Sequence, residues 1–148
     1  MLIRYPKLVP LPRTEQSFAL NSDLAPTLAE LAGAAIPAAH DGASLVRVLD
    51  GTQTSWREDF LAEGWPGSHP WATVRESRWK YTELPVTPGD PDTAFETELY
   101  DLLADPYEQV NVAAENPAQT AIMATRLRAL RPNWPVDSDP MGPDPDED

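Results

Sequence analysis

Proline sets the grain of this chain, taking 17 of its 148 positions, about twice ordinary usage. Each proline fixes φ near about −65° and removes a backbone donor, which excludes it from helix interiors and central strands. The sequence therefore predicts short elements joined by turns. No apolar-or-glycine run exceeds residues 31–39, which Pro37 splits, far short of the ~20 residues a bilayer-spanning helix needs. No membrane span is expected. The opening MLIRYPKLVPLPR lacks both a continuous apolar core and a small-residue cleavage site, so no signal peptide is read and a soluble, cytoplasmic chain is expected.

The length suits one modest domain. Cysteine is absent, which excludes a disulfide framework, a thiolate metal site and a thiol nucleophile. The formal net charge is −13, from 24 acidic and 11 basic residues, and it disfavours nucleic acid, which needs a basic stripe. Six of those acids lie in residues 137–148, DSDPMGPDPDED, leaving 18 acids against 11 bases, or −7, in the rest. A segment of that composition cannot bury enough apolar surface to offset its ordering entropy, so 135–148 is expected to be a disordered acidic tail.

Residues 2–5 (LIRY) read as a short strand stopped by Pro6, followed by extended loop. A helix is predicted over about 24–32, with Asp23 or Ser22 as cap, Pro26 in the first turn, Gly33 past the end, and Leu24, Leu28 and Leu31 forming an apolar stripe. SLVRVLDG fits a short helix or an irregular turn equally well. DFLAEG, WATVR, RWKYTEL and TELYDL read as four short strands, with Glu76 and Ser77 as a tight hairpin between the middle two. A last helix is expected over about 117–131. Asn116, Pro117 and Gln119 supply its start signals, Ile122, Met123, Leu127 and Leu130 its apolar face, and Arg126, Arg128 and Arg131 complement its C-terminal dipole.

No catalytic constellation assembles from spacing. His40 and His69 are isolated, and Glu98, Asp101, Asp105 and Glu108 lack the alternating oxygen ligands and central glycine of a calcium loop. There is no phosphate-cradling GxGxxG or GxxxxGK loop and no GxSxG elbow around Ser44, Ser55 or Ser68. Catalytic and metal-binding residues are accordingly expected to be none.

An ordered series of weaker motifs is more informative: LIRYP at 2–6, DLAPTLAELAG at 23–33, DGASLVRVLDG at 41–51, VRESRWKY at 74–81 and ELYDLLADPYEQVN at 98–111. Together, over about residues 1–131, they resemble the C-terminal portion of a sulfatase of the arylsulfatase type, within the alkaline phosphatase superfamily. The resemblance gives structural roles to Asp23, Pro26, Thr27, Gly33, Asp41 and Gly42 in the first half. In the second half it gives them to Glu98, Tyr100, Asp101, Asp105, Pro106, Glu108 and Asn111, where Asp105 and Pro106 turn the chain and Glu108 and Asn111 bond turn amides. Substrate-rim candidates are the basic Arg75, Arg78 and Lys80 and, in EGWPGSHPW, Trp65, His69 and Trp71, whose rings suit stacking on a sugar or aromatic group.

The resemblance also implies chemistry this sequence does not hold. Sulfatases of this type use a formylglycine, made from cysteine or serine in a C/S-x-P-S-R motif, with a calcium ion held by Asp and Asn side chains. No cysteine is present, no serine is followed by x-Pro-x-Arg, and the resemblance places those segments upstream of Met1. The fold expected is α+β: a small antiparallel sheet of about four strands packed by a C-terminal helix, after a strand-loop-helix piece of the catalytic α/β domain. Residues 1–50 would be that remnant, 51–134 the C-terminal subdomain and 135–148 the tail. The expected function is that of a sulfatase C-terminal part, inactive alone, whose partner is the missing N-terminal catalytic domain and whose complete form would act on sulfate esters. Alternatives are a free-standing accessory module that complements a separate catalytic half or self-associates, and a fragment of a phosphoester- or phosphonate-ester-hydrolysing relative.

Overall fold

The computed structural model describes residues 1–36, 40–64, 70–88, 90 and 92–135. The expected disordered tail therefore lies, all but its first residue, outside the described residues. The chain divides into two compact units, Met1–Glu58 and the remainder from Asp59 on.

In the first unit a single 3-10 turn, Asn21–Asp23, leads into helix α1, Leu24–Ala32, and a five-residue helix α2, Val46–Asp50, follows. Two glycines close the helices from the left-handed region, Gly33 at φ 67° and Gly51 at φ 79°, a conformation only glycine adopts without cost. SLVRVLDG thus resolves as a helix. Residues 2–5 do not form the expected strand. Leu8 and Val9 donate to the Tyr5 carbonyl, and no described strand of this unit lies beside the segment to complete a ladder. The leucine stripe on α1 is also corrected, since Leu24 and Leu28 are 38% and 65% exposed while Pro26 and Thr27 are buried.

The second unit is a four-stranded antiparallel sheet in the order β1 (Asp59–Gly64), β2 (Trp71–Glu76), β3 (Trp79–Pro85), β4 (Phe95–Asp101), with helix α3, Pro117–Leu130, packed on it. This is the expected α+β architecture. Ser77 and Arg78 form the β2–β3 turn, one residue later than the sequence suggested, because Arg75 pairs with Lys80 and so places Glu76 inside β2. Side chains alternate across a strand, and the register Ala72↔Glu83, Val74↔Tyr81, Tyr81↔Leu99 gathers one face. That face packs with Met123, Leu127 and Trp134 into the core. The expected α3 stripe is narrower than predicted: Ile122 and Leu130 are exposed, because a helix on a flat sheet buries only the row facing it. Nor does any side chain cap α3, for the Asn116 amide donates to Val112 O instead.

Candidate functional site

Asp23 centres a buried polar junction in the first unit. Its carboxylate is fully buried and accepts the Leu20 amide at 2.8 Å, the Ala43 amide at 2.8 Å and both Arg57 guanidinium nitrogens at 2.7 Å. Asp23 itself is helical and makes no side-chain cap on α1; its bond from the Leu20 amide caps the preceding 3-10 turn instead, and its other bonds tie segments together. Burial pushes its pKa up, but the bonds from Arg57, Ala43 and Leu20 and the guanidinium charge outweigh that, and the net direction is down.

Thr27, one turn along, donates to the Asp23 carbonyl at 2.6 Å and accepts the Leu45 amide at 2.8 Å. Just before the Ala43 anchor, Gly42 lies against the Ser22 carbonyl, where a Cβ would stand 1.9 Å from the oxygen. The DLAPT and DG motifs are therefore halves of one joint, α1 being clasped to residues 42–45. Asp41 stands exposed beside it.

In the second unit, Asp101 receives a two-pronged bond from Arg78, at 3.0 and 2.7 Å, and the Leu103 amide at 3.2 Å. Arg78, stacked over the Trp79 ring at 4.8 Å, holds the Asp101 pKa down, and Asp101 raises that of Arg78. Asp105 accepts the amides of Gln109 and Val110, four and five residues on. Asn111 accepts the Leu99 and Ala113 amides and donates to the Thr97 carbonyl, each at 3.0 Å. It therefore acts as a side-chain strand along the outer edge of β4. Glu108 bonds no turn amide among the described contacts and pairs with Lys80 instead. Tyr100 lies near Lys80, and its phenol is pushed up by burial and then by neighbouring Glu98.

The rim candidates fall in different places. Trp65 and His69 lie outside the described residues. The Trp71 indole packs on Gly64, where an added Cβ would stand 2.5 Å from the ring. Arg75 and Lys80 oppose each other across β2 and β3, on the face away from α3, and Arg78 sits in the turn.

Two clusters were not foreseen. Arg57 was missed because nothing local links it to Asp23, 34 residues away. Glu83, 2% exposed, accepts Tyr81 Oη–H at 2.7 Å and Trp134 Nε1–H at 3.1 Å, while Arg128 Nη1 lies 2.6 Å away as an ion pair without hydrogen-bond geometry. Burial, then the Glu83 bond and charge, raise the Tyr81 pKa. Arg126 and Arg131 reach Asp59 and Glu63 on β1, so the three helix arginines serve as rivets to the sheet. The signal for Glu83 was available: it is the acid at a period-2 core position after Trp79 and Tyr81.

Among the described residues no group of three or more histidine, aspartate or glutamate side chains is placed to hold a metal ion. Nor is any helix there long and apolar enough to cross a membrane.

Comparison with known proteins converges on one group. The family model described as N-sulphoglucosamine sulphohydrolase, C-terminal, matches residues 1–132. The chain is 35% identical over 113 residues to a Delta 4,5-hexuronate-2-O-sulfatase of Bacteroides thetaiotaomicron, covering 73% of this chain and 22% of that protein. It is 36% identical over 116 residues to a choline-sulfatase of Rhizobium meliloti, covering 75% and 20%. A solved structure described as a complex with its substrate D-glucosamine-2-N,6-O-disulfate superposes with a TM-score of 0.74 at 27% identity, over 92% of this chain and 29% of the other. The chain thus spans about a fifth of the length of these curated relatives.

Proposed function

The chain belongs to the sulfatases, matching their C-terminal region, and from that premise we propose that it is the scaffolding end of a sulfuric ester hydrolase, inactive alone. In this reading residues 1–50 complete a catalytic α/β domain and 51–134 form the C-terminal subdomain. The structural division between Glu58 and Asp59 supports a boundary between α2 and β1.

The observation that carries the reading is how the charged groups in the motifs are used. Asp23 is committed to Arg57 and two amides, Asp101 to Arg78, Glu108 to Lys80 and, outside the motifs, Glu83 to Arg128. Calcium does not fit these four carboxylates, since each already has a cationic partner, and formylglycine has no C/S-x-P-S-R precursor here. Both belong, in this proposal, to the rest of the enzyme. What these residues supply is rigidity: the Asp23 joint fixes α1 against residues 42–45, and the riveted sheet carries the face bearing Trp71, Arg75 and Lys80 toward a substrate rim.

The exposed Leu24 and Leu28 on α1 give the missing catalytic portion its docking surface, since helices bury an apolar stripe against a neighbouring layer. The same unit has a groove lined by Met1, Leu2, Ile3, Val9, Leu45 and Val48 that such a partner would fill. The test is direct. The purified chain, with calcium and an aryl sulfate, should show no hydrolysis above a protein-free blank. Turnover that survives repurification and disappears on heat unfolding would overturn the proposal.

A further inference from the structure

The turn carrying Glu108 combines two features that a rigid Glu108–Lys80 pair does not require. Glu108 stands at φ 56°, the one non-glycine residue in the left-handed region among those described, a conformation that strains a residue with a Cβ. Its carboxylate reaches two cations at once. Lys80 Nζ donates to one oxygen, and Arg75 Nη1 lies 4.0 Å from the other. Arg75 and Lys80 are direct cross-strand partners, so their side chains stand together on one face. Their side chains are 35% and 28% exposed, and the Tyr100 ring lies 5.9 Å from Lys80 Nζ.

An anion held between two strand cations with an aromatic wall is the arrangement of an oxyanion-binding site, with a resident carboxylate as its ligand. We propose that Arg75 and Lys80 form a binding site for a tetrahedral oxyanion such as sulfate, occupied internally by Glu108, whose turn must move for an outside anion to enter. A structural salt bridge has no need of a strained acceptor, whereas a displaceable plug is favoured by one, because the strain is released when the turn swings away. The cluster also explains why the site is closed at rest: Glu98 and Asp105 add negative charge beside Tyr100, so a second anion is repelled while Glu108 remains. The inference stands on this geometry alone and does not depend on the catalytic reading.

The test uses the full chain, titrated with sodium sulfate against sodium chloride at matched ionic strength and followed by the amide and Arg75 side-chain NMR signals around β2 and β3. Glu108→Gln, which keeps the shape and removes the charge, should bind sulfate at least about tenfold more tightly than the parent chain. Glu108→Gly, which also suits the positive φ, should do the same, and adding Arg75→Ala should abolish the gain. Sulfate affinity unchanged in both variants, or a gain that survives the loss of Arg75, would overturn the proposal. Loss of the native spectrum in Glu108→Gly would count against it too, because a plug over a preformed site is dispensable to the fold.

Discussion

Replacing Asp23 with alanine removes one carboxylate and four hydrogen bonds at 2.7 to 2.8 Å from a fully buried position. It strands the Leu20 and Ala43 amides and leaves the Arg57 guanidinium, 17% exposed, without a counter-charge. Breaking a buried pair from one side costs about 3–5 kcal/mol, because the surviving charge stays desolvated. At roughly 0.05–0.15 kcal/mol per residue, a unit of 58 residues holds about 3–9 kcal/mol in all. The substitution is therefore expected to unfold the first unit or leave it barely stable, while β1 to β4 and α3 persist.

Native-state hydrogen exchange separates the two units. The Ala43 and Leu45 amides should lose most of their protection, and the Leu99 amide should keep its own. Asp23→Asn keeps the shape but sets amide against amide, and should cost about 2–4 kcal/mol. The carboxyl also dictates a pH profile. Its folded pKa lies below its unfolded value, so the unfolded state binds the proton more readily. The stabilisation is present above the ordinary aspartate value, about 3.9, and is lost as the pH falls through the lower folded value. Asp23→Asn should remove that limb of the acid transition. A loss below about 1 kcal/mol in Asp23→Ala, with Ala43 protection intact, would refute this account of the joint.

Three further substitutions probe the motifs. Gly42→Ala places a Cβ against the Ser22 carbonyl and should cost about 1–3 kcal/mol or more, read as a lower Tm for the first unit. Asn111→Ala strips three hydrogen bonds from the β4 edge and should cost about 2–3 kcal/mol, with faster exchange of the Leu99 amide as the specific sign. Trp134→Ala removes a 3% exposed ring and a donor to Glu83. It should cost about 3–5 kcal/mol in urea unfolding, showing that residues beyond the family match at 132 belong to the fold.

Strands and helices were legible because proline and glycine punctuate them. The bounds of α1, Leu24–Ala32, follow from Pro26 and Gly33, and the β-rich runs map onto β1 to β4. What the sequence hid were partnerships across distance. Leu24 and Leu28 have helical spacing that says a face is apolar, but not whether its cover lies within these residues. Asp23 carries a cap signature, yet Arg57 claims its carboxylate through a contact no local pattern encodes. Likewise Arg126, Arg128 and Arg131 have the sequence signature of dipole complements, while the acids they meet lie 45 to 68 positions earlier on β1 and β3. The rim candidates were chosen by composition, and their geometry is mixed: Trp71 packs on Gly64, whereas Arg75 and Lys80 converge.

The central claim is that this chain supplies a sulfatase's scaffold and leaves the chemistry to the rest of the enzyme. A chimera tests it most directly: residues 1–135 grafted in place of the matching C-terminal segment of the Bacteroides thetaiotaomicron Delta 4,5-hexuronate-2-O-sulfatase, assayed for sulfate release beside the isolated chain. The account predicts hydrolysis by the chimera and none by residues 1–148 alone. A folded chimera without turnover, or turnover by the isolated chain, would contradict it.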